Sequence, residues 1–207
     1  MIRVNGGVFL PDGEKDRVML GAGVQYQGTK LREALKYVKK ARTAIDIGAH
    51  CGLWTVQLGA YFERVECFEP IPSHIECWHK NAGWKLSCRL HEVALGDSER
   101  TCGMEVVEGL SGRSHVAGSG EVPMKTLDSF GFVDVDFLKV DVEGFEYFVL
   151  KGAEKTLLEN KPVMVVEQKR HGGNYGLPPT AAIDYLVGLG AVVREEIVGD
   201  FILTWTA

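Results

Sequence analysis

The chain has 207 residues, with 23 Lys+Arg against 28 Asp+Glu for a net charge of −5, and 45% of it is apolar. A chain of this length fits one large domain and buries roughly 70% of the surface its unfolded form exposes, which excludes disorder and any need for disulfide staples. No run reaches the ~20 apolar residues of a membrane span. The acidic balance disfavours broad nucleic-acid binding, and the scattered Cys51, Cys67, Cys77, Cys88 and Cys102 fit a reducing cytoplasm.

Residues 1–25 read as short strands and turns around Asn5-Gly6-Gly7 and Pro11-Asp12-Gly13. Thr29 is placed to cap a helix to about Lys40, so 1–42 forms an N-terminal stretch of strands and helix. TAIDIG (43–48) is a short apolar strand running into glycine, and 52–62 is a helix packed on it. RVECFEP (64–70) is a second strand. Ser73 with Glu76 three residues later makes a capping box for a helix over 73–81. SCRLHEVAL (87–95) supplies a third strand, and the glycine-rich stretch 98–125 reads as a β-hairpin excursion. VDFLKVD (135–141) is an apolar strand ending in a carboxylate. A helix over 145–159, a buried strand at 162–168 and a Gly/Pro loop at 171–179 follow. Thr180 caps a helix to about Leu189, and 191–196 pairs with 201–206 across Val198-Gly199-Asp200.

Short apolar strands alternating with helices predict a single α/β domain over 1–207. Its sheet is mostly parallel, covered by helices on both faces, with one antiparallel strand from the terminal hairpin. In such sheets the ligand sits beyond the carboxyl ends of the strands, where the strand order reverses.

The strand ends carry the chemistry. Asp46-Ile47-Gly48-Ala49-His50-Cys51-Gly52 follows the first strand. Gly48 permits a tight turn, Gly52 opens the next helix, and Asp46 is placed to receive an ammonium group. Glu69 ends the second strand 23 residues after Asp46, where an acid holds the hydroxyls of a ribose. Two glycines, in place of the three of a dinucleotide turn, suit a nucleoside carrying an amino acid better than one carrying a pyrophosphate.

At this point DIGAHCGLWT, ECFEP, EVALGD, TLDSF and above all DFLKVDVEGFEYFVLKGA resemble the FkbM family of S-adenosylmethionine-dependent methyltransferases, over about residues 43–168. The resemblance implies a Rossmann-like class I methyltransferase fold with seven strands and an antiparallel last strand. It also implies S-adenosylmethionine as cofactor and O-methylation of a small molecule, sugar or lipid. Carried over, Asp46, Gly48 and Gly52, with Ala49 and His50 between them, match the cofactor's amino-acid end. Glu69 matches the ribose ligand, Pro70 the adenine face, and Glu92 and Val93 the adenine edge. Asp141 matches a carboxylate between cofactor and acceptor. His50 departs from the small polar residue common in the family.

Asp141, Glu143, Glu167 and His171 are the candidate catalytic groups. His171 is a general base on one reading and a solvated loop histidine on the other. Asp141 and Glu167 on adjacent strand ends would suit a divalent metal, but Lys139 and Lys169 can neutralise the same charge, and the metal-free site is preferred. Glu146, in a first helical turn, reads as structural. Three rivals stay open, one of them a non-catalytic nucleoside-binding module. A ribose 2′-O-methyltransferase needs a Lys-Asp-Lys-Glu set, for which Lys30, Asp141, Lys169 and Glu195 stand at loose spacing. An NAD-dependent oxidoreductase gains only Tyr147-x-x-x-Lys151, without its glycine turn or serine.

Overall fold

The computed structural model describes residues 1–206; of Ala22, Val24, Arg170 and His171 only the backbone is described. Seven strands form the central sheet: β1 (Thr43–Ile47), β2 (Arg64–Phe68), β3 (Cys88–His91), β4 (Val135–Val140), β5 (Val163–Glu167), β6 (Ala191–Ile197) and β7 (Asp200–Trp205). Their spatial order is β6-β7-β5-β4-β1-β2-β3. Strands β1 to β5 pair in parallel, and β7 runs antiparallel to both of its neighbours. The sheet is thus mostly parallel with an antiparallel last strand, as the alternating strand and helix patterns predict.

All five residues of β1 and of β5 are buried, because helices cover both faces. Side chains alternate between two cores. Ile45, Ile47, Leu138, Val140 and Val166 pack with α5 (Glu146–Lys151), α6 (Glu154–Asn160) and α7 (Ala181–Gly188). Ala44, Val65, Phe137 and Val165 face the other way, onto α2 (Gly28–Leu35), α3 (Leu53–Leu58) and α4 (Pro72–Asn81). The chain lays down β1, β2 and β3 in one direction and then returns to place β4 on the other side of β1. The crevice between the ends of β1 and β4 is therefore the switch point.

Several local expectations give way to tertiary contacts. Thr29 lies inside α2, which Gln27 precedes in a left-handed conformation, and its hydroxyl accepts from Arg32. The Ser73–Glu76 capping box does not form. Pro72 starts α4, and Glu69 satisfies the Ile71 amide from outside at 3.0 Å. The helix expected over 145–159 breaks in two at Gly152, whose backbone passes so close to Gly96 that a Cβ there would lie 1.9 Å from the Gly96 carbonyl oxygen. Thr180 precedes α7 but donates its hydroxyl to Asp184 instead of capping. Residues 87–95 split into β3 and a two-residue strand, Ala94–Leu95. That short strand joins Arg100–Cys102 and Val122–Lys125 in a separate small sheet.

Two segments roof the switch point. One is a short ladder of Met104–Glu105 with His115–Val116. The other is the N-terminal region, with α1 (Arg17–Ala22) capped by Asp16, which accepts from Val18 and Met19. Asn81 fastens this region down, pairing with the backbone N–H and C=O of Phe9 at 2.8 Å each and donating to the Cys51 carbonyl at 2.7 Å.

Candidate active site

A cleft of about 960 Å³, open mouth included, lies at the switch point. Its walls include Gly48, Ala49, His50, Glu69, Pro70 and Val93 on the β1–β3 side, and Asp141, Glu143 and Glu167 on the β4–β5 side. Parallel strands of similar length end together, so their last residues meet at one edge of the sheet.

The turn after β1 is locked from below. Gly48 takes a left-handed φ of +75°, and the Gly48 and Ala49 amides both donate to the Phe68 carbonyl at 3.0 Å. Lys139, near the end of β4, reaches under the turn and donates to the Gly48 carbonyl at 3.1 Å. Its buried ammonium also lies 3.4 Å from Asp46 and 3.7 Å from Asp141. Burial alone would lower the Lys139 pKa, but the Asp46 and Asp141 carboxylates outweigh it and hold the ammonium charged.

This arrangement corrects one expectation. Asp46 is fully buried and is not among the cleft-lining residues. Its ammonium partner is the chain's own Lys139, and its second oxygen accepts from Thr55 at 2.7 Å. Gly52 also stands back from the cleft, against Trp78. Glu92 turns outward to solvent and lies 3.8 Å from His79, leaving only Val93 of that pair on the cleft. The His171 side chain lies outside the described residues.

Glu69 is buried, and each of its oxygens is already engaged. Oε2 accepts from the His50 amide at 2.9 Å, and Oε1 accepts from the Ile71 amide and from His74 Nδ1 at 3.1 Å. These donors fix the carboxylate's orientation while leaving it lone pairs for a ligand. The other ring nitrogen of His74, Nε2, is buried, and no partner meets it among the described residues. Ser111 donates to buried Glu14, so it accepts from His50 Nε2 at 2.8 Å. Burial, His74 and Lys139 hold the His50 pKa well below its ordinary value, so the ring is neutral. Glu14, Ser111, His50 and Glu69 thus link the N-terminal region, the 98–125 excursion and both strand ends.

Across the cleft, Asp141 is half-buried and Glu143 sits beside it in a left-handed turn with φ 55°. Glu167 is buried and ion-paired with Lys169. Burial, then the neighbouring Asp141, pushes the Glu143 pKa up to about 8 and that of Glu167 to about 9, against the attraction of Lys169. Glu146 lies behind them and does not reach the cleft. It accepts from the Val142 and Gly144 amides at 3.1 and 2.9 Å, a structural brace for the turn.

The raised values have a measurable consequence. A carboxylate whose folded pKa exceeds its unfolded value of 4.5 keeps a proton that the unfolded chain releases. Its contribution therefore favours folding below about pH 4.5 and is lost as pH rises toward 9. In EDTA-containing buffer, Glu167→Gln is expected to flatten the decline of Tm between pH 5 and 9 and to raise Tm at the alkaline end. A parallel pH–Tm curve for the variant would contradict this.

The sets required by the two rival enzymes do not assemble. Lys30 is ion-paired with Asp200 and Glu195 accepts from Tyr37, so neither lines the cleft. Lys151 folds over the Tyr147 ring at 5.8 Å, and both also lie off the cleft. The pattern also concealed several cleft residues. Met19, Tyr26 and Ser111 arrive from elements distant in sequence, and Trp54 and His74 from the helices that follow the β1 and β2 turns. Lys139, the one cation inside the apolar strand β4, is the visible signal of a buried ion-pair network.

A glycine turn after β1, an acid after β2, a carboxylate after β4 and an antiparallel β7 together define the architecture of class I methyltransferases. The sequence matches the Methyltransferase FkbM domain over residues 46–186, more than half of the chain, and the chain belongs to that family. No match was found among the curated proteins. Solved structures share the fold at low identity. An FkbM methyltransferase from Methylobacillus flagellatus is 17% identical with TM-score 0.52, over 80% of this chain but only 44% of that one. A precorrin-6y C5,15-methyltransferase from Geobacter metallireducens is 12% identical with TM-score 0.57, over 94% and 93% of the two chains. A candidate methyltransferase from Streptococcus mutans, solved in complex with SAH, is 10% identical with TM-score 0.55, over 86% and 95%.

Proposed function

We propose that the protein transfers a methyl group from S-adenosylmethionine to a hydroxyl oxygen of a small molecule, sugar or lipid. The observation that carries this reading is the pairing of Glu69 and Asp141 on opposite walls of one cleft. The FkbM family and a fold neighbour holding SAH, the demethylated cofactor, support it.

The cleft chemistry fits that cofactor. Glu69 offers an oriented carboxylate to ribose hydroxyls. Pro70, Val93 and Phe68 give an apolar slot for a purine. S-adenosylmethionine supplies a methyl group on an already activated sulfonium, so the protein's task is to align and to move a proton. Asp141 is placed to orient the acceptor hydroxyl and take its proton. Met19, Tyr26, Trp54, Met104, Val116 and Phe145 make the walls largely apolar and aromatic. Among the described residues both lysines that line the cleft are ion-paired with carboxylates, an arrangement that disfavours RNA.

The test is a panel of glycans, small phenols, lipids and capped RNA, incubated with labelled S-adenosylmethionine. Label on a hydroxyl of one non-nucleic acceptor is expected; label only on RNA would replace the reading. Calorimetry supplies the cofactor arm. Glu69→Ala is expected to weaken SAH binding roughly 10- to 100-fold, because a charge-assisted hydrogen bond contributes about 1.5–3 kcal/mol. An unchanged dissociation constant would place the ribose elsewhere, and tight NADH binding without SAH binding would end the methyltransferase reading.

A further inference from the structure

We propose that Asp141, Glu143 and Glu167 form a binding site for one divalent, oxygen-preferring cation of the Mg²⁺ or Mn²⁺ class. One carboxylate oxygen from each residue lies within 4.8 Å of the other two. Mg²⁺ binds oxygen at about 2.1 Å, which sets its ligand oxygens no more than about 4.2 Å apart. Any three octahedral ligands include at least two adjacent pairs, about 3 Å apart, so side-chain rotation has to draw the three groups together by up to about 2 Å.

They come from three separately fixed backbone positions. Asp141 follows β4, and its amide donates to the Ile47 carbonyl at 3.1 Å. Glu143 is held in its left-handed turn by the Glu146 brace on either side, at Val142 and Gly144. Glu167 is the last residue of β5.

A second observation is independent of that clustering. The Glu167 side chain is only 3% exposed, and its Oε2 has no hydrogen-bond donor among the described residues. Lys169 reaches only Oε1. A buried carboxyl oxygen without a donor is met either by a proton of its own or by a cation. The second local ammonium, Lys139, is drawn toward Asp46 and the Gly48 carbonyl and stands 3.7 Å from Asp141. The donor set is all oxygen, with no sulfur or imidazole, which selects a hard cation over zinc or copper. All three carboxylates line the cleft, so an ion held there keeps positions open toward an oxygen of the acceptor.

The ion's part in methyl transfer rests on the function proposed above, whereas its binding does not, and the experiment measures binding without cofactor or acceptor. The EDTA-stripped full chain is titrated with Mn²⁺, and free Mn²⁺ is followed by electron paramagnetic resonance. One Mn²⁺ per chain is expected, with Mg²⁺ competing. Glu167→Gln and Asp141→Asn, checked for folding by circular dichroism, should each weaken binding by at least about 10-fold. Absence of stoichiometric binding to the wild-type chain at millimolar Mn²⁺ overturns the site, whatever the variants do. Binding that survives unchanged in both folded variants also overturns it. SAH calorimetry on the same sample separates the two readings. SAH binding without Mn²⁺ binding removes the metal alone, and Mn²⁺ binding without SAH binding removes the methyltransferase reading alone.

Discussion

Gly48→Ala is expected to destabilise the protein by about 3 kcal/mol or more, a large share of the 5–15 kcal/mol that holds an ordinary domain together. Two effects add. Alanine pays about 1–2 kcal/mol to occupy the left-handed region that Gly48 adopts at φ +75°. Its Cβ would also lie 1.8 Å from the Asp141 carbonyl oxygen and 3.3 Å from a Val142 methyl. The obstacle is backbone, so no side-chain rotation relieves it, and overpacking of this kind typically costs about 1–3 kcal/mol. Relief requires β1 and β4 to move apart just where the Lys139 clasp joins them. Urea denaturation measures the loss. A variant within about 1 kcal/mol of wild type would show that the turn yields freely and that its contacts with Asp141 are loose.

Asp141→Asn is expected to lower methyl transfer by at least about 100-fold at saturating cofactor, the lower end for removing a general base. The substitution keeps size and shape and removes only the charge. Asp141 is anchored through its backbone and is half exposed to the cleft, so the fold is expected to survive. The loss applies whether the carboxylate takes the proton itself or helps to hold a cation. The measurement is turnover on an acceptor found in the labelled panel. Near-normal turnover would remove Asp141 from the chemistry altogether.

The fold was legible because β1, β4 and β5 are nearly continuous apolar runs, each ending in a glycine or a carboxylate. That pattern is what a sheet covered on both faces requires. Gly48, Glu69 and Asp141 were legible for a related reason: strand ends are positions, and positions can be counted along a chain. Asp46 meets its ammonium partner in Lys139, 93 residues away. The count shows that an acid ends near a turn, but not that an ammonium already sits beneath it. Glu92 departs from its expected place at finer scale. Beyond the end of β3 the chain leaves the central sheet for the small one, and its side chain turns outward. His74 and Ser111 offered no pattern at all. They reach the cleft through α4 and the 98–125 excursion, whose placement depends on contacts such as Glu14–Ser111 that only the folded chain creates.

The placement of β7 between β5 and β6 also governs how the molecule can be assembled. Strand β5 is complete at Glu167, but the strand that covers its outer edge begins only at Asp200. On the ribosome, residues 163–167 therefore wait with unpaired backbone groups while more than thirty further residues are made. An apolar, unpaired edge is a site for pairing with another chain, and the nascent protein is most vulnerable to aggregation in that interval. The same step delivers Asp200 to Lys30 and so ties the last strand to the helix made first against the sheet. Slow synthesis through 168–199 should thus depress the soluble yield far more than an equal delay before residue 160.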